Sequence, residues 1–290
     1  MTITEGRIVA NDLEFAYLEA GSGPLALCLH GFPDSAWTYR FLLPALADAG
    51  FRAVAPFMRG YAPTAVPVDG RYQTAALALD AGALHQELGG DGDAVIIGHD
   101  WGALATYTAA NHEPDRWRRV VTMAVPPSGA VAGGFMQYRQ LKKSWYMFFF
   151  QHGLADIVVG LDDLAFIDGL WADWSPGYDG TEDIAHVKDA LRDPANLAAA
   201  LGYYRATLGG VGVDPALDGV QAAGGGVTPQ PTLYLHGRTD GCMGVEIAEA
   251  APAFLTSEGS RLEIVDGAGH FLHVEKPAEV NELILDFVAR

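Results

Sequence analysis

The sequence predicts an α/β protein, built on a mostly parallel sheet flanked by helices, with a helical lobe inserted into it. Two observations carry that expectation. Short apolar or β-branched runs alternate with stretches of helical period, the pattern of strands joined by crossover helices. From about Ser128 to Gly226 the strand signals vanish, and the segment reads as helices rich in aromatic residues that end in the run Gly224-Gly225-Gly226. The chain has 290 residues, half of them hydrophobic, enough for one large core and too apolar for intrinsic disorder. The expected division is a sheet domain of residues 1–127 and 227–290 and a helical lobe of residues 128–226.

The first strands read as antiparallel. Leu13 to Glu19 ends in the turn Gly21-Ser22-Gly23-Pro24, and Leu25 to Leu29 follows as a short continuous apolar run, the mark of a strand buried on both faces. A helix around Trp37 to Ala49, a strand at Phe51 to Ala55 and an amphipathic helix from Thr74 to Leu88 come next. Ala94-Val95-Ile96-Ile97 then runs straight into Gly98-His99-Asp100-Trp101-Gly102 and a helix beginning Ala103-Leu104-Ala105. Arg119 to Ala124 is a further strand. Beyond the lobe the sheet resumes with Thr232 to Leu235 and Leu262 to Val265, and a helix from Pro277 to Ala289 closes the chain, its proline suited to a first helical position.

Eighteen Lys and Arg stand against 36 Asp and Glu, a net charge of −18. Such an excess repels phosphate backbones and anionic lipid, so neither nucleic acid nor a membrane surface is an expected partner. No apolar stretch reaches a bilayer-spanning length, and the segment Met1 to Arg7 lacks the basic start and apolar run of a secretory signal, so a cytoplasmic location is expected. The two cysteines, Cys28 and Cys242, cannot form a disulfide framework and are read as buried free thiols. The histidines show no metal-ligand spacing, and neither a metal nor an organic cofactor is expected.

Three motifs carry chemistry. The run strand, Gly98-His99-Asp100-Trp101-Gly102, helix has the form of a nucleophile elbow, in which flanking glycines let one central side chain sit on a strained strand-to-helix turn. The central residue is Asp. A carboxylate there can attack carbon and form a covalent ester, and the positive end of the following helix favours its ionised form. The plain alternative is that Asp100 is an ordinary helix N-cap. His30-Gly31-Phe32-Pro33, directly after the strand Leu25 to Leu29, is the loop that supplies one oxyanion-hole N–H in an elbow architecture, the other coming from the residue after the nucleophile. Phe32 and Trp101 are the expected donors. The Phe32-Pro33 bond reads either as cis, fixing the turn, or as trans. The third motif is Leu235-His236-Gly237-Arg238-Thr239-Asp240, followed 30 residues on by Gly267-Ala268-Gly269-His270. Asp240 and His270 each follow a strand, and the order nucleophile, acid, His is that of elbow hydrolases.

Together these motifs resemble the α/β-hydrolases of the epoxide hydrolase and haloalkane dehalogenase branch over nearly the whole chain. The pair His30-Gly31-Phe32-Pro33 and Gly98-His99-Asp100-Trp101-Gly102 resembles epoxide hydrolases most. The resemblance implies an α/β-hydrolase fold with a mostly parallel eight-stranded sheet and an inserted helical cap. It further implies conversion of an epoxide to a vicinal diol through an ester on Asp100, hydrolysed by water that His270, oriented by Asp240, activates. Epoxide and water would be the small-molecule partners. Two cap tyrosines that hydrogen-bond the epoxide oxygen are also implied. Ser144-Trp145-Tyr146-Met147-Phe148-Phe149-Phe150-Gln151 resembles the segment of the first, and Gly202-Tyr203-Tyr204-Arg205 that of the second. Tyr146 and Tyr204 are the assignments. Tyr203 is the alternative to Tyr204, because adjacent helical residues point about 100° apart. Substrate contacts are expected from Phe32, Trp101, Tyr146, Phe150 and Tyr204.

A dehalogenase resembles the chain in nucleophile, acid and His, and the Trp101 indole can donate to halide. Dehalogenases usually carry an amide where Phe32 stands, and haloacetate-type relatives an Arg where Trp101 stands. A noncatalytic small-molecule receptor is a further alternative, which the intact triad disfavours; serine esterase chemistry lacks its hydroxyl. His30 and His99 read as shaping the loop and the elbow, His273 as a surface or helix-entry residue, and Arg59-Gly60 as structural.

Overall fold

The computed structural model describes residues 2–289. Eight strands, β1 (Thr4–Ala10), β2 (Leu13–Gly21), β3 (Leu25–Leu29), β4 (Arg52–Pro56), β5 (Val95–His99), β6 (Arg119–Met123), β7 (Thr232–Gly237) and β8 (Arg261–Val265), form one sheet in the order β1-β2-β4-β3-β5-β6-β7-β8. β1 pairs with β2 and β2 with β4 in antiparallel register, and every later pairing is parallel. The central strands β3, β5 and β7 are buried at every residue, which is why they read as unbroken apolar runs.

The helices are α1 (Leu42–Asp48), α2 (Thr74–Glu87) and α3 (Trp101–His112) before β6; α4 (Ser128–Gly134), α5 (Tyr138–Lys143), α6 (Trp145–Phe149), α7 (Leu154–Trp174), α8 (Thr181–Leu191), α9 (Pro194–Tyr204) and α10 (Asp218–Ala223) between β6 and β7; and α11 (Val245–Ala248), α12 (Leu272–Glu275) and α13 (Pro277–Ala289) after β7. α2 packs on α3, and α1 on α13. Of the helices between β6 and β7, the first and last lean on the sheet domain: α4 packs against α11, and α10 against α2 and α3. The helices α5 to α9 form the layer over the strand ends. α7 is broken at 161–164, where Asp162, Asp163 and Leu164 take φ of 49°, 53° and 61°. The stretch expected as one helix around Trp37 is two pieces, a single 3-10 turn at Ala36–Tyr39 and α1.

The topology fixes where chemistry can occur. β3, β5, β7 and β8 run in one direction, so the loops after them emerge at one edge of the sheet, and side chains distant in sequence converge there. No helix among the described residues is long and apolar enough to cross a membrane.

Candidate active site

Asp100 stands between β5 and α3 with φ 53° and ψ −117°, a conformation that L-residues adopt only under local constraint. It occupies the N-cap position of α3, yet its side chain makes no capping hydrogen bond. Its main-chain carbonyl starts the helix by accepting from the Ala103 N–H at 2.9 Å. The carboxylate turns toward the loop after β3, where Oδ1 accepts from the Phe32 N–H at 2.8 Å. Gly31 makes that approach possible, since a Cβ there would lie 2.3 Å from Asp100 Oδ1 and 2.7 Å from the Trp101 nitrogen. The Phe32-Pro33 peptide is cis. The Phe32 N–H thus reaches a carboxylate seated at the positive end of a helix.

Asp240 and His270 come from the loops after β7 and β8. His270 Nδ1 lies 3.0 Å from Asp240 Oδ2, while Asp240 Oδ1 accepts from the N–H groups of Cys242 at 2.7 Å and Met243 at 2.8 Å. On the other side of the ring, His270 Nε2 is 3.6 Å from Asp100 Oδ2, an ion-pair contact too long for a hydrogen bond, and Nε2 has no hydrogen-bond partner. Burial works against the imidazolium, but the Asp240 and Asp100 carboxylates on either side outweigh it and raise His270 to about 10. Burial likewise opposes ionisation of Asp100 and Asp240, and the charge and hydrogen bonding of His270 reverse this, holding both carboxyls below their ordinary range. The resting site is therefore a cation between two anions.

The end of α7 ties these two loops together. The Trp174 carbonyl accepts from both the His270 N–H and the Gly241 N–H, each at 3.0 Å. Ser175 Oγ accepts from the Phe271 N–H at 3.1 Å and donates to Glu275 Oε1 at 2.6 Å, and Glu275 Oε2 accepts from the Gly269 N–H at 2.8 Å. The approach is close enough that a Cβ on Gly241 would sit 1.9 Å from the Asp173 carbonyl oxygen. The sequence reading passed over Trp174, Ser175 and Glu275. Trp174 acts here through its main chain, which no residue pattern marks; Glu275, five residues past His270, was the one legible clue.

The tyrosines approach from the opposite side. Tyr146 and Tyr204 are buried, their rings perpendicular with centroids 5.6 Å apart. The Tyr146 hydroxyl lies 3.3 Å from Cys242 Sγ, and the Tyr204 hydroxyl is buried without a hydrogen-bond partner. Both line a cavity of about 460 Å³ together with Asp100, Trp101 and Cys242. Tyr203 turns away and donates its hydroxyl to the Arg59 carbonyl at 2.9 Å. Arg59 itself is buried and forks onto Asp80 through hydrogen bonds of 2.6 and 2.7 Å, in keeping with its structural reading.

Three placements differ from expectation. The rings of Phe32 and Phe150 do not line the cavity. Phe150 sits behind the tyrosines, 5.1 Å from Tyr204 and 5.6 Å from Tyr146 between centroids, because the apolar face of α6 turns it into the layer's own core. Phe32 faces the site with its backbone N–H, while its ring packs edge-on against Phe150 and Tyr204. His273, read as a surface or helix-entry residue, is buried: the short α12 points it inward, with its ring 4.5 Å from that of His99 and Nε2 against Thr38 Oγ1. Of the two free thiols, Cys28 is enclosed in β3, whereas Cys242 reaches the cavity wall.

Two trios bring metal-type donor atoms within 4.8 Å of one another: Asp34, His99 and His273, and Asp100, Cys242 and His270. The second shares Asp100 and His270 with the group just described. In the first, His99 Nε2 donates to the His270 carbonyl at 2.9 Å and Nδ1 faces Asp34 Oδ2 at 3.5 Å, so the trio braces the His270 loop from behind.

Residues 24–154 match the family described as alpha/beta hydrolase fold, and the chain has that fold. Within it, the sequence resembles the epoxide hydrolases. It is 28% identical to an epoxide hydrolase of Caballeronia sordidicola over 99% of this chain and 94% of that one, and 28% identical to epoxide hydrolase A of Mycobacterium tuberculosis over 98% and 97%. Among solved structures, epoxide hydrolase A from Mycobacterium thermoresistibile is similar with a TM-score of 0.82 at 27% identity, covering 99% of this chain and 98% of that one.

Proposed function

We propose that this chain is an epoxide hydrolase that opens an epoxide through a covalent ester on Asp100. The observation that carries the reading is the pairing, in one cavity, of a carboxylate nucleophile with two tyrosine hydroxyls, one of them buried and unpartnered. A buried donor without an acceptor is costly unless a ligand supplies one, and an epoxide oxygen is an acceptor that gains charge as the ring opens.

The charges of the resting triad support a balanced cycle. Asp100 Oδ2, free of the Phe32 hydrogen bond, attacks a ring carbon; the carbon–oxygen bond breaks and its electron pair moves to the epoxide oxygen. That oxygen takes a proton through Tyr146 or Tyr204, and the net donor is the His270 imidazolium. Esterification removes the Asp100 charge, one of the two that hold the proton on His270, so neutral imidazole becomes the favoured form when a base is required. His270, oriented by Asp240, then takes a proton from water as its oxygen adds to the Asp100 carbonyl carbon. The oxyanion rests on the N–H groups of Phe32 and Trp101. Collapse breaks the bond between the Asp100 carbonyl carbon and the substrate oxygen; that oxygen takes the remaining proton of the added water, so the diol leaves, Asp100 is again a carboxylate and His270 stays imidazolium. The cytoplasm is the proposed location, checked by fractionation of the source cells.

Diol formation from styrene oxide, set beside halide release from haloalkanes and haloacetates, tests the reading. His270→Gln is expected to trap the ester, visible as an adduct by intact mass. Halide without diol would overturn it in favour of a dehalogenase.

A further inference from the structure

The cavity is one-sided. Asp100 and the two tyrosines lie at one end of it, and the space beyond them is filled by Phe32, Phe150 and Trp174, none of which lines the cavity. From Asp100 it extends along a single stripe of α3, Trp101, Leu104 and Thr108, spaced i, i+3 and i+7. Seven residues of helix rise about 10 Å. At the far end the wall is backbone: Gly224 and Gly225 line it, a Cβ on Gly224 would lie 2.5 Å from Thr108 Oγ1, and Ser128 Oγ fixes the Gly224 carbonyl at 2.6 Å. Around these glycines the lining residues Ala132, Met136, Thr207, Leu208 and Gly225 are exposed, so this end of the stripe is the mouth of the cavity. Val131, Phe135 and Leu208 give apolar flanks, and no Lys or Arg lines the cavity.

Resting on the epoxide hydrolase reading, we infer that the stripe from Leu104 to Gly225 is a tail subsite, and that the substrate class is the terminal epoxide carrying one extended apolar chain. An extended chain advances about 1.2 Å per bond, so about 10 Å holds roughly eight carbons beyond the ring. A substituent on the second ring carbon has no room, because the aromatic side chains behind Asp100 and the tyrosines occupy that direction.

The experiment is kcat/KM for 1,2-epoxyalkanes of four to fourteen carbons, with trans-5,6-epoxydecane as the internal isomer of 1,2-epoxydecane. Each added methylene is expected to raise kcat/KM up to about fourfold until the chain has about ten carbons, after which the series levels off. The terminal decane epoxide is expected to exceed its internal isomer at least tenfold. Thr108→Phe narrows the far end of the stripe and lowers the decane-to-butane ratio about tenfold or more. Diol from 1,2-epoxybutane with a flat series, or equal rates for the two isomers, would overturn the tail subsite and leave the hydrolase reading standing. No diol from any epoxide overturns both. Because the series uses the unaltered protein, the result does not depend on whether the Thr108 variant folds.

Discussion

The two halves of the triad are held in different ways. Asp100 is positioned within the sheet domain, by the turn from β5 to α3 and by one hydrogen bond from a loop that Gly31 lets come close. Asp240 and His270 also sit on strand ends, yet the Trp174 carbonyl at the end of α7 fastens their loops to each other, and the Ser175 hydroxyl holds the His270 loop. The proposed nucleophile is set by the core, and the proposed base is set jointly by the core and the helical layer above it. Damage to that layer should therefore fall on ester hydrolysis more than on ring opening.

Asp100→Ala gives the largest expected effect: turnover falls by about 10⁴-fold or more and no adduct forms, whatever the state of the base. Tyr204→Phe ranks next, with ring opening slowed by about 10²-fold or more if the hydroxyl bonds the oxygen chiefly in the transition state. Tyr203→Phe is its control, costing about 1 kcal/mol of stability through the lost bond to Arg59 and much less activity. Unchanged single-turnover rates in Tyr204→Phe would leave Tyr146 as the donor to the epoxide oxygen. Glu275→Gln and Ser175→Ala test the comparison directly. They should slow hydrolysis of the ester about tenfold, so that adduct accumulates, while the rate of adduct formation changes little. Equal slowing of both steps would show that the fastening acts on the whole site.

The smallest effect is on stability against pH. His270 is raised from its ordinary 6.5 to about 10, so its contribution is complete below pH 6.5 and fades as pH rises toward 10. His30, His236 and His273 are lowered by burial, so theirs is present above pH 6.5 and fades as pH falls. The melting temperature should peak near pH 6.5. The decline between pH 6.5 and 9 should flatten in His270→Gln, and an unaltered slope there would detach it from the triad.

The sheet was legible because its central strands are buried on both faces and so appear as plain apolar runs. β1 was passed over: it is an edge strand with residues such as Arg7 and Val9 open to solvent, and its pairing with β2 leaves little trace in hydropathy. The triad residues stood out because each follows a strand within a glycine-bearing motif. Choosing between Tyr203 and Tyr204 required three dimensions, since only the Arg59 carbonyl shows which hydroxyl is already engaged. Phe150 was misplaced for a related reason, as an aromatic run on a short helix gives no sign of which rings face inward. Trp174 lay beyond reach because a carbonyl is common to every residue.

The double acceptor role of that carbonyl bears on how such proteins diversify. A helical layer joined to its core at just two chain crossings looks exchangeable, a module that homologues might trade to alter what they accept. Here the layer also carries a peptide group that registers the two loops of the base. A chimera that imports foreign helices would inherit a new pocket and, unless the junction at residues 173–175 is kept, a misaligned histidine. Recombination that spares this tripeptide should yield altered substrates; recombination through it should yield proteins that alkylate once and stop.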